Sequence, residues 1–254
     1  MKIVIIGSGN LATNLSLALK DAGQDIVQIF SRTEAHAREL ADKLGCSYTS
    51  SLDGIRRDAD VYILSVKDDA LLRLVPTICA THKNGHFLHT AGSVPMNLFE
   101  GSASQYGVLY PMQTFSKSHR VDFREIPCFI EASSPQALSV VRSLAERISE
   151  HVVVCDSEKR KKLHLAAVLA CNLTNHCYRL AERVLEAEQI DFSLFLPLIE
   201  ETARKVKTLS PKEAQTGPMV RYDQGVMRMQ MEMLPDDRTR EIYRLMAESI
   251  HEDS

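Results

Sequence analysis

Two hydrophobic rhythms divide the chain. Up to about residue 155, short apolar runs alternate with amphipathic stretches. The runs Lys2–Ile6, Ile26–Phe30, Val61–Ser65, His86–His89, Gly107–Tyr110, Cys128–Glu131 and Val152–Cys155 predict strands. The first four are rich in Val, Ile, Leu and Phe without polar alternation, as strands covered on both faces require. A 3.6-residue period predicts helices over Leu11–Ala22, Glu34–Leu44, Asp69–Thr81 and Pro135–Ile148. Strand and helix taking turns in this way is the pattern of a parallel α/β sheet. From Asp156 onward only helical periodicity is visible, broken at Pro197, Pro211, Gly217-Pro218 and Pro235. Asp156 or Ser157 is positioned to cap a long helix reaching about Glu188. The chain therefore reads as an α/β domain over 1–156 and an all-helical domain over 157–254. The segment Val226–Leu234, VMRMQMEML, alternates as a strand would, but Met, Gln, Glu and Leu favour helix, and helix is predicted. Apolar residues two apart fall on opposite faces of a helix, which fits one packed between others, across a subunit interface among the options.

Composition narrows the partners. The 254 residues are 44% hydrophobic and 25% charged, ordinary for a globular chain, and the formal charge of -3 gives no electrostatic pull toward nucleic acid or an anionic membrane. The one basic run, Lys159-Arg160-Lys161-Lys162, reads as a solvated helix start in preference to a binding patch. Six cysteines, at 46, 79, 128, 155, 171 and 177, show neither CxxC nor His/Cys ligand spacing, which predicts reduced thiols and no metal site. No window reaches the ~18 apolar residues of a membrane span. The first apolar run enters a glycine loop where a signal peptide would have a cleavage site. A soluble, cytoplasmic protein is expected.

The strongest motif is Gly7-Ser8-Gly9-Asn10-Leu11-Ala12, a GxGxxA loop between the first strand and the first helix. Gly7 permits the tight turn, Gly9 lets the backbone approach a pyrophosphate, and Ala12 lets the helix lie close to the sheet. The helix N-terminus offers N–H groups and a positive dipole to phosphate. Strand, loop, helix and a second strand follow in the order this dinucleotide fingerprint demands, so a doubly wound Rossmann sheet is predicted, with Gly7, Ser8, Gly9, Asn10 and Leu11 at the cofactor. After the second strand, NAD-binding sites place an acid to hold the ribose 2′-hydroxyl. This chain has Ser31, Arg32 and Thr33 there, which predicts NADP(H), with Arg32 on the 2′-phosphate, unless Arg32 is only a surface residue opening the next helix. Ser65 and Val66, then Thr90, Ala91 and Gly92, follow later strands at the sheet edge where such ligands bind; each loop reads either as a cofactor contact or as a simple turn.

The segments GSGNLA, HTAGS at 89–93, YPMQTF at 110–115, LHLAAVLACNLTN at 163–175 and QTGPMVRYD at 215–223 together resemble a mostly bacterial Rossmann-like family, the domain of unknown function 2520. That family is similar to pyrroline-5-carboxylate reductases and deazaflavin-dependent NADP oxidoreductases. The resemblance covers nearly the whole chain and implies NADP binding and a reductase role. Three features depart from these patterns. Tyr110-Pro111 stands where the family has His-Pro, and Arg221-Tyr222-Asp223 where it often has Arg-Gly-Asp. Val168 lies four residues before Asn172, where β-hydroxyacid dehydrogenases place a proton-transferring lysine.

Catalytic candidates come from the helix after Asp156. Residues 163–170 are largely apolar all round, which predicts burial. At 100° per residue, His164, Val168, Cys171, Asn172, Asn175, Arg179 and Glu182 fall on one side, a polar stripe facing either a ligand in an interdomain cleft or water. His164 and Asn172 are the candidates at the substrate, His164 as proton donor, and Tyr110 competes for that role. Arg221 either clamps a substrate carboxylate or pairs with Asp223 or a partner subunit. The expectation is an NADP(H)-dependent oxidoreductase reducing a small imine or carbonyl, assembled as a homodimer through its helical domain. The alternative is an NADP(H)-binding protein that senses or regulates without turnover.

Overall fold

The computed structural model describes residues 1–254. Its eight strands are β1 (Lys2–Ile6), β2 (Asp25–Phe30), β3 (Ser47–Thr49), β4 (Val61–Leu64), β5 (His86–His89), β6 (Tyr106–Pro111), β7 (Cys128–Ala132) and β8 (Val152–Val154). They form one sheet in the order β3-β2-β1-β4-β5-β6-β7-β8. The order reverses between β1 and β4, the switch point at which ligands of such sheets bind. All seven predicted strands form, to within one residue at either end. The eighth, β3, is a three-residue edge strand whose largely exposed side chains carry no hydrophobic signal.

Every neighbouring pair is parallel except β6 and β7. A parallel return needs a crossover of a dozen or more residues, usually a helix. The link between β6 and β7 holds only one 3-10 turn, Phe123–Glu125, and the chain comes back antiparallel.

Helices α1 (Asn10–Asp21), α2 (Glu34–Leu44), α3 (Asp68–Thr81) and α4 (Pro135–Ile148) cover the two faces. On β1, Ile3 and Ile5 join Leu15, Leu40 and Leu144 in one core, while Val4 and Ile6 join Leu71, Val75 and Phe87 in the other. The unbroken apolar strands are thus explained, since alternate side chains feed two separate cores.

Asp156 accepts a hydrogen bond from the Lys159 N–H and starts α5 (Ser157–Ala167). The chain runs on as a π-helical segment, Val168–Leu173, into α6 (Thr174–Ala187). The first compact unit spans Met1–Cys171 and the second Asn172–Ser254, so α5 belongs with the sheet, past the boundary expected at Asp156. The reason is a small third core in which Leu163 packs with Val108, Tyr110 and Phe129.

The second unit is α6 followed by α7 (Leu196–Lys205), α8 (Pro211–Ala214), α9 (Gln224–Glu232) and α10 (Asp237–Glu252). The methionine-rich segment is helical, as its residue types predicted. Only Met227, Thr239 and Ala247 of residues 172–254 are buried in the single chain, and Leu194, Leu198 and Met233 are 71%, 61% and 65% exposed. The predicted burial of residues 163–170 is also not met: Leu165 and Leu169 are more than half exposed.

Candidate active site

The C-terminal ends of five strands build the site. Gly7 leaves β1 at φ 127°, a backbone angle that side chains disfavour. A Cβ there would lie 2.1 Å from the Ser65 carbonyl oxygen at the end of β4, so only glycine fits. Its N–H donates to the Phe30 carbonyl at 2.8 Å, tying the turn to β2. Gly9 is different. A Cβ on it would meet nothing within 4 Å, so the chain's own packing does not demand glycine there. Open space before Gly9 is what a ligand's close approach needs. Gly9 is also the N-cap of α1, with no side-chain cap and no acid in the first turn, leaving N–H groups for an anion. These residues fit a dinucleotide pyrophosphate.

The neighbouring strand ends are joined by hydroxyls. Ser8 donates to Ser31 at 2.8 Å and Thr90 donates to Ser65 at 3.1 Å, linking β1 to β2 and β4 to β5. Arg32 and Thr33 are exposed beyond β2, and Arg32 makes no ion pair. Asn10 is exposed, Leu11 and Val66 are half-buried, and the Ala91 N–H donates to His89 Nδ1 at 3.2 Å.

His164 and Tyr110, read from sequence as competitors, touch each other. Tyr110 Oη and His164 Nδ1 are 3.0 Å apart, with the rings edge to face. Gly92 explains how the histidine fits. A Cβ on Gly92 would come within 2.6 Å of His164 Nδ1 and 2.9 Å of its Cβ, so the room this glycine leaves is filled by the imidazole. Tyr110 is buried at the end of β6, and that burial raises its pKa above the usual phenol value, opposed in part by the charge of Arg160. His164 is half-buried.

Asn172 takes no part in those hydrogen bonds; it is exposed and is the first residue of the second unit. The π segment also undoes the stripe drawn at 100° per residue. A π turn inserts an extra residue, which rotates everything after it by about 100°. Further along, Arg179 pairs with Glu182 and Glu186 at an exposed surface, at 2.7 and 2.8 Å. Asp223 caps α9 and is not paired with Arg221. Tyr222 sits at φ 51°, where the resembled family's glycine is at ease, and its ring stacks on His251 at 4.2 Å.

One group escaped the sequence reading. Arg160, assigned with its neighbours to a solvated helix start, is fully buried. Its guanidinium faces the sheet from the first turn of α5, where it meets Glu131 on β7 and the Val94 carbonyl. The signal available was its position four residues before His164, on the same helix face.

The fold and its glycine-lined strand ends define a dinucleotide-binding protein. Residues 2–88 match the family described as NADP oxidoreductase coenzyme F420-dependent, and residues 126–250 match the domain of unknown function DUF2520. A candidate NADP oxidoreductase from Bacteroides fragilis is 50% identical, with a TM-score of 0.96 over 99% of this chain and 98% of that one. The chain belongs to this NADP oxidoreductase family. An imine reductase from Myxococcus stipitatus in complex with NADP+ shares the fold at 15% identity, TM-score 0.67, over 99% and 92% of the two chains. A 1-pyrroline-5-carboxylate reductase from Streptococcus pyogenes does so at 16% identity, TM-score 0.63, over 99% and 98%. No curated protein matches the chain. No group of His, Cys, Asp and Glu is arranged to hold a metal, all six cysteines are free, and no helix is long and apolar enough to cross a membrane.

His89 gives the site a pH signature. It is fully buried at the end of β5, three residues before Gly92, and desolvation together with the Arg160 charge pushes its pKa down to about 3. In the unfolded chain a histidine takes up its proton near pH 6.5. Between these values the unfolded state binds a proton that the native state refuses. Stability is therefore lost as pH falls from about 6.5 toward 3, at up to about 1.4 kcal/mol per pH unit from this residue. His89→Phe, whose ring suits the stack on Phe99, should flatten the pH dependence of the urea midpoint in that window. An unchanged slope would refute the assignment.

Proposed function

We propose that this chain is an NADP(H)-dependent reductase of a small imine or carbonyl compound, with His164 as the proton donor. The observation that carries this is the Tyr110–His164 hydrogen bond, 3.0 Å, seated on Gly92 in the same row of strand ends as the glycine loop. Gly7, Ser8, Gly9, Asn10 and Leu11 would hold the pyrophosphate. Arg32, flanked by Ser31 and Thr33, would take the 2′-phosphate, and Ser65, Val66, Thr90, Ala91 and Gly92 would line the nicotinamide half. When bound, NADPH supplies the hydride that reduces the substrate carbon.

The chain's own residues manage the accompanying proton. An imidazolium carries N–H groups on both nitrogens. In that form the His164 Nδ1–H would donate to Tyr110 Oη, 3.0 Å away, which burial keeps in its phenol form. Nε2–H is left to protonate the imine nitrogen or carbonyl oxygen as hydride reaches the carbon. Imidazole is the side chain suited to this exchange near neutral pH, and general acid catalysis contributes about 10²–10⁴-fold. The imine and pyrroline-carboxylate reductases that share the fold support the substrate class. A second reading, an NADP(H)-binding sensor without turnover, draws on Val168 standing where β-hydroxyacid dehydrogenases have lysine.

Three outcomes test these readings. NADPH should bind about 10- to 100-fold more tightly than NADH in a fluorescence titration, the worth of one charge-assisted hydrogen bond, and Arg32→Ala should abolish the difference. Equal affinities in the parent protein would refute the role of Arg32. NADPH oxidation over a panel of cyclic imines and keto acids should fall at least 100-fold in His164→Ala while NADPH affinity stays within about threefold. Binding without turnover on any substrate favours the sensor. We also propose a homodimer, because the second unit buries so few of its own residues; light scattering at micromolar concentration should give twice 28.5 kDa, and a monomer would contradict it.

A further inference from the structure

The mechanism leaves one buried charged group unused. The Arg160 side chain is 1% exposed and that of Glu131 is 16% exposed. Arg160 Nη1 donates to Glu131 Oε2, and Nη2 donates to the Val94 carbonyl at 2.7 Å and to Ser157 Oγ at 3.2 Å. The Ser157 N–H and hydroxyl donate to the two Glu131 oxygens at 3.1 and 2.8 Å. The Met96 N–H donates to Ser157 Oγ at 2.9 Å. Three segments are thereby tied together: the first turn of α5, the loop at 94–96 and the end of β7.

Each of these segments also places one wall of the His164 seat. His164 lies four residues after Arg160, one turn along the same face of α5. Gly92 lies two residues before Val94. Tyr110 pairs across the sheet with Phe129, two residues before Glu131. A buried ion pair is a poor source of net stability, because desolvation consumes most of its attraction. What an arginine offers beyond an apolar side chain is a rigid fork with fixed directions.

We propose that Arg160 and Glu131 are positioning residues that set the register of α5 against the Gly92 loop and the β6–β7 pair, and so form the His164–Tyr110 hydrogen bond. Its catalytic consequence rests on the function proposed above; the positioning itself does not.

The test uses the full chain and needs no substrate. The His164 imidazole resonances, assigned by their loss in His164→Ala, are recorded with and without Tyr110→Phe. In the parent protein, removing the hydroxyl that sits 3.0 Å from Nδ1 should shift them. In the double variant Glu131→Leu/Arg160→Met, apolar groups of similar size replace the pair, an exchange that is often neutral for stability. There the Tyr110→Phe shift should vanish while the thermal midpoint stays within a few degrees. Retention of the full shift in a folded double variant would overturn the proposal. Should that variant not fold, Ser157→Ala decides, since it removes the bridging hydroxyl without burying a lone charge; its Tyr110→Phe shift should shrink, and an undiminished shift would overturn the proposal. Normal turnover in His164→Ala would sink the catalytic reading and leave this measurement unaffected.

Discussion

The site depends on how closely two parallel strands approach at the point where their order reverses. β1 and β4 end side by side, and the chain leaving β1 must turn within van der Waals reach of the Ser65 carbonyl. Only glycine at position 7, at φ 127°, makes that turn. The turn then delivers α1 with its N-terminus uncapped at the sheet edge. Burying charged phosphate next to an apolar sheet is costly unless donors are waiting for it, and backbone N–H groups fixed by the fold are such donors.

The other half of the site is secured differently. Parallel strands fix the positions of Ser65, Thr90 and Tyr110, but His164 arrives on a helix after the sheet is complete. Apolar contact of Leu163 with Tyr110 and Phe129 brings α5 onto the sheet, yet such contacts slide easily. The directional bonds of Arg160, Ser157 and Glu131 fix the remaining freedom, and Gly92 removes the side chain that would keep the imidazole out. A hydrogen bond of 3.0 Å between two ring systems from distant parts of the chain reflects that double constraint.

How much of this was legible in the sequence follows from the range of each interaction. β1, β4 and β5 announce themselves because both faces are buried, and the Gly7 loop does so because its constraints are local. β3 did not, since an exposed edge strand needs no hydrophobic pattern. β7 was read as a strand but not as an antiparallel one, because the direction of a strand depends on its link, and 112–127 carries neither a helix nor a hairpin signal. His164 and Tyr110 were each identifiable as candidates, but their contact joins residues 54 apart and has no sequence signature. Arg160 was hidden among Lys159, Lys161 and Lys162, three residues that do face solvent or its margin. The polar stripe failed in part because a π segment, invisible to a 3.6-residue period, shifts the phase of α6.

One row of strand ends is proposed to serve both halves of a dinucleotide, with Gly9 and Arg32 at one end and Gly92 and His164 at the other. Amide and imidazole resonances recorded during titration with NADP+, and separately with 2′,5′-ADP, test it directly. NADP+ should perturb Gly9, Arg32, Gly92 and His164, and the adenine-half fragment only Gly9 and Arg32. NADP+ binding that leaves Gly92 and His164 unmoved would contradict it.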